Sequence, residues 1–562
     1  MRPPRGRRRP HPSTGSHPAM SGSTLLSAPA AELGAAPAGC RDSVVRPVQR
    51  VQLFFPPMVF SRFQSRQTAM FPLGLGYVGA VLEREGYDVA MVDCPSEGYD
   101  TTIDIGKDRE VYGLTAEQIR RRIEQFRPDA IGISCLFSTL ERRMLQIAQI
   151  AKQVDPDIVV FVGGPHVSAF YKRLAHDPNV DYCVTGEGEE VAVSLLRALN
   201  ENGRGLDQLH AVCRRSGGRV VLQSRQGWIQ NLDSVPFPAR HLVDAQTYFD
   251  IGRVQGLRKD GEKRLRIGQM TTSRGCPFQC SYCGKNVTWG KGYRTRSAEN
   301  VLDEMEHLIE RYGVERFAFQ DDNFTANMER AAAICDGIVE RGLDVTWEAH
   351  NGLGVNFLDA ALLEKMKASG CVGFTIAVES ATDATLKRVR KPNYIKLAPP
   401  VVKIAKQLGI EVRGFFMIGF PGEALDEVWD TVAYARELDL AVSAFALVTP
   451  LPGTKLYLEC VAAGLIDEAT IDFEDFSFGA FELELSKVPV AQLKAIRKVE
   501  WLKTVLMDRA TGGLKHDVDM APSDVLTELG NGILLFPEQE DLRRLHAEAS
   551  ALYASGIPAA AS

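Results

Sequence analysis

The chain has 562 residues, a formal net charge of −6, and 45% apolar and 24% charged residues, which is the composition of an ordinary globular protein. The weak negative charge gives no reason to expect nucleic acid or an anionic membrane as a partner. No run approaches the ~20 apolar residues that a membrane span requires. The eleven cysteines are scattered outside one loop, which argues against a disulfide framework and predicts a reducing cytoplasm as the location.

The first 45 residues differ in composition from the rest. Met1 to Pro10 is rich in Arg and Pro, and Ser, Gly, Ala and Pro continue to about Arg46. This composition predicts a disordered tail over residues 1–45. A true start at Met20 would explain the same segment equally well. The tail lacks the apolar core of a secretory signal.

Residues 46–200 alternate between strand and helix patterns. Short apolar runs predict strands at 51–55, 87–93, 130–135, 158–162 and 182–185, and the intervening segments have helical spacing. Such alternation predicts an α/β domain with a doubly wound parallel sheet, similar to a Rossmann fold. The ligands of these sheets bind at the carboxyl ends of the strands.

Small and polar residues stand at those strand ends. The candidates are Ser134 and Leu136 after the third strand, Gly163, Gly164 and His166 after the fourth, and Gly186 and Glu187 after the fifth. Ordinary turn chemistry would explain the same residues. A Pro-rich stretch follows, and residues 201–265 are predicted to link this domain to the next.

Three cysteines then fall within eight residues, as Cys276-Pro-Phe-Gln-Cys280-Ser-Tyr-Cys283. A structural zinc site needs four protein ligands, and no His follows at zinc-finger spacing. A cubane iron–sulfur cluster also has four coordination positions, so three thiolates leave one iron open to another molecule. Three buried structural cysteines are the alternative. The flanking Gly275 and Pro277 indicate a loop and favour the cluster.

Residues 266–460 contain six further strand–helix units, which predict a partial barrel that is open on one side. Polar residues at the carboxyl strand ends of such barrels line the active site. Asp321 and Asp322 follow the second strand, Glu379 ends the fourth, and a turn from Gly419 to Glu423 follows the fifth. Residues 461–562 are predicted to be mostly helical, with Ile496, Val499 and Leu502 on one helix face.

The cysteine loop resembles the signature loop of the radical S-adenosylmethionine (SAM) enzymes. The resemblance implies that Cys276, Cys280 and Cys283 hold a 4Fe–4S cluster whose open iron chelates SAM. It implies further SAM contacts by position: Tyr282 near the adenine, Asp321 or Asp322 at the ammonium, Glu379 at the ribose, and Gly419 and Gly422 at the adenine. Two alternatives stay open, because Asp322 could cap the next helix and Glu379 could pair with Arg413.

The preceding domain is similar to the cobalamin-binding domains of B12-dependent radical SAM enzymes. The resemblance implies that Ser134, Leu136, Gly163, Gly164, Gly186 and Glu187 contact cobalamin, with His166 a polar neighbour of the corrin or a turn residue. Many cobalamin proteins carry Asp-x-His-x-x-Gly, whose His ligates cobalt. That motif does not occur in this sequence, so no lower cobalt ligand is expected from that position.

Together the two resemblances imply a cobalamin-dependent radical SAM methyltransferase. In that family SAM is cleaved to a 5′-deoxyadenosyl radical, and methylcobalamin donates the methyl group. A second SAM then regenerates methylcobalamin. The expected substrate is a small natural-product precursor methylated at an unactivated carbon or a phosphinate phosphorus, as in antibiotic biosynthesis. An external electron donor such as flavodoxin or ferredoxin is expected. Oxidative cyclisation or ring rearrangement is the main alternative, and the sequence identifies neither the substrate nor a catalytic side chain.

A methylthiotransferase acting on tRNA and a non-catalytic iron–sulfur electron carrier are weaker alternatives. The first should carry further cluster cysteines in its amino-terminal domain, where Cys94, Cys135 and Cys183 are isolated. The second would not need acidic residues at the strand ends of a barrel.

Overall fold

The structure is a computed structural model. It describes residues 46–61, 69–106, 109–216, 219–251, 265–476, 482–506 and 522–554. The predicted tail at 1–45 lies outside these ranges. No helix within the described ranges is both long and apolar enough to span a membrane.

The first domain contains the following elements. Its strands are β1 (Arg50–Phe55), β2 (Met58–Ser61), β3 (Asp88–Asp93), β4 (Thr102–Gly106), β5 (Arg109–Tyr112), β6 (Ala130–Ser134), β7 (Val159–Gly163), β8 (Tyr182–Val184), β9 (Val212–Ser216) and β10 (Arg219–Leu222). Its helices are α1 (Leu73–Arg84), α2 (Cys94–Glu97), α3 (Ala116–Phe126), α4 (Glu141–Val154), α5 (Pro165–Leu174), α6 (Glu189–Asn200) and α7 (Ala245–Ile251).

The main sheet of this domain confirms the predicted alternation. Within the described ranges its strand order is β10-β9-β8-β7-β6-β1-β3, and the pairs from β8 to β3 are parallel. The central strands are buried on both faces, because helices cover both sides. Two features were not expected: β9 and β10 extend the sheet in antiparallel fashion, and β2, β5 and β4 form a separate small sheet.

The second domain contains the predicted barrel. Its strands are β11 (Ile267–Met270), β12 (Ser273–Cys276), β13 (Gly292–Thr295), β14 (Arg316–Phe319), β15 (Thr346–Leu353), β16 (Cys371–Glu379), β17 (Glu411–Ile418) and β18 (Val442–Leu447). Its helices are α8 (Lys285–Trp289), α9 (Ala298–Tyr312), α10 (Met328–Glu340), α11 (Ala360–Ala368), α12 (Asp383–Arg388), α13 (Ala398–Gln407), α14 (Leu425–Glu437) and α15 (Lys455–Ala462).

Six of these strands form one parallel sheet in the order β11-β14-β15-β16-β17-β18, counted over the described residues. The strand order follows the chain order, which is the topology of a barrel wall built from successive strand–helix units. Strands β12 and β13 form a short antiparallel hairpin beside the cysteine loop. The sequence pattern did not reveal this hairpin.

In the described part of the chain beyond the barrel lie the helices α16 (Val490–Leu506), α17 (Pro522–Leu535) and α18 (Glu540–Ala554). Ile496, Val499 and Leu502 are buried, as the helical spacing predicted. The hydrophobic core of the first domain continues into the barrel mouth, because Tyr282 and Phe420 belong to the same buried cluster as Leu53. The first-domain core therefore extends across the domain interface, while the barrel keeps a second core of its own.

Candidate functional site

The cysteine loop leaves the end of strand β12 and returns through helix α8. Gly275 has φ +83°, and a Cβ there would lie 2.4 Å from the carbonyl oxygen of Gly292, so only glycine fits this turn. The loop is anchored because the Ser281 amide donates to the Val389 carbonyl at 2.9 Å. Asn323 Nδ2 lies 3.8 Å from Cys276 Sγ and can donate to that sulfur.

The three thiols are partly exposed on this loop, as a site that receives an external group requires. Burial raises the pKa of Cys283 to about 12 and also raises that of Cys280, so the thiolate forms need a bound cation to be stable. No described group of three His, Cys, Asp or Glu side chains surrounds a single metal-ion position. A cubane cluster does not require one, because its thiolates bind different iron atoms. The loop therefore fits a cluster.

The adjacent acidic residues Asp321 and Asp322 have different surroundings. Asp321 is buried, and both of its carboxylate oxygens are used: Oδ1 accepts from the hydroxyls of Thr272 and Ser273, and Oδ2 accepts from the Thr272 amide at 3.0 Å. Asp322 accepts from the Gly275 amide through Oδ2 at 3.1 Å. Within the described ranges no hydrogen bond reaches its Oδ1, which leaves that atom for another partner. Burial raises the pKa of Asp322 to about 6.

Asp321 therefore fixes the junction between β11 and the cysteine loop, and Asp322 faces that loop with one oxygen to spare. Neither residue caps helix α10, since its N-cap is Asn327.

Glu379 ends β16 with an unusual backbone. Its φ is +71°, and the pairing with β17 shifts register between Ala377 and Glu379. A non-glycine residue in this region costs about 1–3 kcal/mol, and such strain concentrates at functional sites. Arg413 pairs with Glu348 at 2.7 Å, whereas the cation facing Glu379 is Lys391, at 3.5 Å.

Lys391 was missed by the sequence analysis. It lies at the barrel mouth, with its ammonium 5.4 Å from the centre of the Tyr394 ring. The Tyr394 hydroxyl is buried without a partner among the described residues. No motif spacing identifies Lys391, because it follows Glu379 by a helix and a turn.

The turn after β17 is organised by Glu423, whose Oε2 accepts from the amides of Gly419 at 2.6 Å and Phe420 at 3.0 Å. Gly419 and Gly422 have φ of +91° and +74°, which favours glycine at both positions. Burial raises the pKa of Glu423 to about 7. The Phe420 ring packs edge-on against Tyr282, with centroids 5.7 Å apart. The turn and the cysteine loop are thus in contact.

The carboxyl edge of the first sheet forms a second candidate site. Ser134 and Gly163 are in register at the ends of β6 and β7. Gly164 has φ +107°, and a Cβ there would lie 2.8 Å from the Cys135 carbonyl oxygen. Leu136 is 42% exposed at this edge, beside the similarly exposed Phe137. A glycine turn beside exposed apolar side chains fits a large ligand with apolar edges.

His166 is buried beneath that edge instead of lying at its surface. Its Nε2 lies 2.6 Å from Glu141 Oε2, and its Nδ1 lies 3.0 Å from Ser138 Oγ. The ring also contacts Phe473, with centroids 5.0 Å apart. Both ring nitrogens are therefore engaged by protein groups, and a segment beyond the barrel covers the ring.

Glu187 belongs to a set of buried charges that joins the two domains. We name Glu187, Glu189, Arg274 and Arg294 the interdomain network. Arg274 donates to Glu187 at 2.8 Å and to Glu189 at 2.6 Å, and Arg294 donates to Glu187 at 2.7 Å. The guanidinium carbon of Arg274 also lies 5.2 Å from the ring centres of Tyr77 and Trp289.

The interdomain network brings together the carboxyl edges of both sheets. Glu187 lies three residues after β8, and Arg274 lies two residues before Cys276. Gly186 also packs in this region, because a Cβ there would lie 3.0 Å from the Trp228 ring. No local pattern singles out Arg274, since its partner Glu187 is 87 residues away.

Comparison with known proteins agrees with this arrangement. The B12 binding domain family matches residues 63–196, and the Radical SAM superfamily matches residues 270–435. The chain is 32% identical over 469 residues to cytidylyl-2-hydroxyethylphosphonate methyltransferase of Streptomyces wedmorensis, covering 78% of this chain and 86% of that protein.

Two further comparisons bear on reaction and fold. The chain is 27% identical over 414 residues to anaerobic magnesium-protoporphyrin IX monomethyl ester cyclase of Rubrivivax gelatinosus, covering 72% of this chain and 68% of that protein. The structure of the cobalamin-dependent S-adenosylmethionine radical enzyme OxsB, with aqua-cobalamin and S-adenosylmethionine bound, matches with a TM-score of 0.64. That match has 14% identity and covers 91% of this chain and 81% of the other.

Proposed function

The chain belongs to the cobalamin-dependent radical SAM methyltransferases, and from that premise we propose that it methylates an unactivated carbon of a small natural-product precursor. One observation carries the proposal. The interdomain network joins the carboxyl edge of the first sheet to the cysteine loop. Methyl transfer needs the methyl donor and the hydrogen-abstracting group to face one substrate, and a fixed domain arrangement supplies that orientation.

The family's cofactors are a 4Fe–4S cluster, SAM and cobalamin; when bound, the first two supply hydrogen abstraction and the third supplies the methyl group. We propose that Cys276, Cys280 and Cys283 hold the cluster. The exposed Leu136 and the Gly163-Gly164 turn are suited to receive cobalamin, with Ser134 at the same edge. Gly186 and Glu187 would support that site from the domain interface, and His166 would support it from beneath.

We propose the SAM contacts from the charges of the side chains and from the hydrogen-bond acceptors that remain available. Asp322, with an uncommitted oxygen, is better suited than Asp321 to accept from the SAM ammonium. Glu379 is placed for the ribose hydroxyls, and Lys391 is the cation that suits the SAM carboxylate. Tyr282 and the backbone of Gly419 and Gly422 would then border the adenine.

The reaction requires two low-potential electrons for each methyl group transferred, and we propose that flavodoxin or ferredoxin supplies them in the reducing cytoplasm. Unoxidised thiols in the cysteine loop need such a compartment.

The test is an anaerobic assay of reconstituted protein with SAM that carries a deuterated methyl group. Two substrates would be supplied: cytidylyl-2-hydroxyethylphosphonate, and a metabolite extract from a strain lacking this gene. The expected result is 5′-deoxyadenosine and S-adenosylhomocysteine together, with one deuterated methyl group in a product. Cys280→Ala should abolish all three signals.

A substrate-dependent rise in 5′-deoxyadenosine without S-adenosylhomocysteine would contradict methyl transfer. That outcome would favour oxidative cyclisation or rearrangement, the reaction class suggested by the weaker similarity to the cyclase.

A further inference from the structure

The interior of the barrel contains a level of small side chains, which we name the chamber level. Ala377, Phe415 and Ala444 are in register on β16, β17 and β18. Gly352 of β15 joins them, because a Cβ there would lie 2.9 Å from Ala377 Cβ and 3.6 Å from the Phe415 ring. Three of the four positions are therefore glycine or alanine, which leaves space at this level.

Phe415 shows that this space is accessible. It is 38% exposed although it lies in the middle of a strand that is paired on both sides. The neighbouring Phe416 is fully buried in the core of the second domain. Because side chains alternate across a strand, Phe415 faces the opposite side of the sheet, into the barrel.

A level of polar side chains lies one step deeper, and we name it the polar girdle. Thr375 and Arg413 are in register on β16 and β17. Gln320 and His350 directly follow the paired residues Phe319 and Ala349 on β14 and β15. Each strand advances about 3.3 Å per residue, so the girdle lies about 7 Å below the chamber level.

Three members of the polar girdle have unsatisfied atoms. Gln320 Nε2, His350 Nε2 and Arg413 Nε are buried without a hydrogen-bond partner in the described part of the chain. His350 is only 5% exposed, and its other nitrogen is 4.0 Å from Glu348 Oε2, too far for a hydrogen bond. An unsatisfied buried polar atom costs about 1–3 kcal/mol, so three at one level indicate a ligand that satisfies them.

The charges around the girdle balance. Arg413 and Arg316 face Glu348, at 2.7 Å and 3.7 Å. Glu411 lies one step below Arg413 on the same strand face. Burial lowers the pKa of His350 to about 3, helped by the two arginines, so the ring is neutral. Two guanidiniums against two carboxylates leave no excess positive charge for a phosphate or carboxylate ligand.

We propose that the polar girdle is the specificity-determining floor of the substrate site and binds a neutral, hydrogen-bonding end of the substrate, such as an amide, carbonyl or hydroxyl group. The proposal rests on the methyltransferase function above. The chamber level holds the adjoining part of the substrate, and Phe415 offers it a flat apolar surface. The girdle holds the remote end.

Two substitutions at Gln320 separate a neutral ligand from a charged one. Gln320→Met removes the donor at similar volume, and Gln320→Lys replaces it with a cation. The matched control is Gln407→Lys, which makes the same charge change at an exposed position at the end of α13. Iron content, cobalamin content and melting temperature report on folding and cofactor loading in all four proteins.

The probe is the metabolite extract of the gene-deletion strain, supplied as a dilution series with deuterated SAM. Both Gln320 variants should raise the apparent KM for the deuterated product about tenfold, the value of one hydrogen bond, with a smaller change in kcat. Retention of the same precursor by full-length protein without SAM, measured by ultrafiltration and mass spectrometry, should fall in parallel. Gln407→Lys should match the wild type in both measurements.

The other outcomes are distinct. A lower apparent KM in Gln320→Lys would overturn the neutral class in favour of an anionic group. An unchanged KM and unchanged retention in both variants would remove the girdle from the substrate site while leaving the methyltransferase function standing. If the wild type forms no deuterated product, the proposed function fails and this inference fails with it.

Discussion

The interdomain network and the polar girdle are both buried and charged, yet they differ in how completely their atoms are bonded. In the network, the Arg274 guanidinium meets two carboxylates and two aromatic rings, and Glu187 accepts from two arginines. In the girdle, three donor or acceptor atoms have no partner among the described residues. A saturated cluster needs nothing from outside the chain, whereas an unsaturated one indicates a binding site.

The same contrast applies to the two aspartates beside the cysteine loop. Asp321 uses both oxygens to hold its own chain, and Asp322 uses one. Two adjacent carboxylates can therefore serve different purposes, one in architecture and one in binding. Substitutions of one fully bonded and one incompletely bonded residue test whether full bonding marks a structural role and incomplete bonding marks a binding role.

The largest effect is expected from Arg274→Leu. The change removes the guanidinium that bonds both Glu187 and Glu189, leaving Arg294 and the more distant Arg225 to face Glu187. Removing one partner of a buried ion pair costs about 3–5 kcal/mol. The melting temperature and the cobalamin retained on purification should both fall. Adding Glu189→Gln to Arg274→Leu should recover part of the loss, because one unpaired charge is removed. An unchanged melting temperature in Arg274→Leu would contradict a stabilising role for the interdomain network.

A smaller effect should separate the two aspartates. Asp321→Asn disturbs a saturated buried group and should cost about 1–3 kcal/mol of stability, with loss of iron. Asp322→Asn should keep the iron and weaken SAM binding about tenfold, because a neutral amide replaces a carboxylate at the proposed ammonium contact. Thermal unfolding, iron analysis and SAM titration check the pair. Equal behaviour of the two variants would argue against the assignment.

A pH effect of about 1 kcal/mol is expected from the girdle. Burial lowers the pKa of His350 to about 3, while an unfolded His titrates near pH 6.5. Between these values the unfolded chain binds a proton that the folded chain does not, so stability is present above pH 6.5 and declines as the pH falls. Between pH 7.5 and pH 5.5, the free energy of unfolding of the wild type should fall by about 1 kcal/mol more than that of His350→Asn.

The interdomain network should not contribute to that loss. Burial alone would raise the pKa of Glu187. That pKa nevertheless lies below its ordinary value, because Arg274 and Arg294 stabilise the carboxylate. Parallel pH scans of thermal unfolding for the wild type and His350→Asn would isolate the girdle. Identical pH dependence of the two proteins would contradict a neutral buried His350.

The smallest effect should be on the melting temperature, which should respond in opposite directions to the loss of an unsatisfied and of a satisfied polar group. Gln320→Met removes an unsatisfied donor from the ligand-free protein, so its melting temperature should stay equal or rise slightly. Loss of a satisfied acceptor, as in Asn300→Ala, should lower the melting temperature, because Asn300 Oδ1 accepts from Arg296 at 2.7 Å. Destabilisation by Gln320→Met as large as that by Asn300→Ala would mean that the girdle is structural.

Much of the architecture was predictable from local patterns. The five parallel strands from β1 to β8 and the six barrel strands follow apolar runs bounded by Gly and polar residues, and the structure confirms them. The antiparallel strands β9 and β10 were missed because Arg214 and Arg215 interrupt the apolar pattern, yet both side chains are buried. The hairpin β12–β13 was missed because its strands are short and rich in Gly and Arg.

In the candidate site, the sequence alone determined the features that depend on residues close together in the chain. These are the cysteine spacing, the glycines that permit positive φ at Gly164 and Gly419, and the polar residues at strand ends. Only the tertiary structure decided which of those residues are already bonded. Asp321 and Asp322 look equivalent along the chain, and Arg274 looks like any loop arginine, because a hydrogen-bond partner 87 residues away leaves no local trace. Periodicity is a property of a few consecutive residues, whereas the saturation of a buried polar atom depends on every element packed around it.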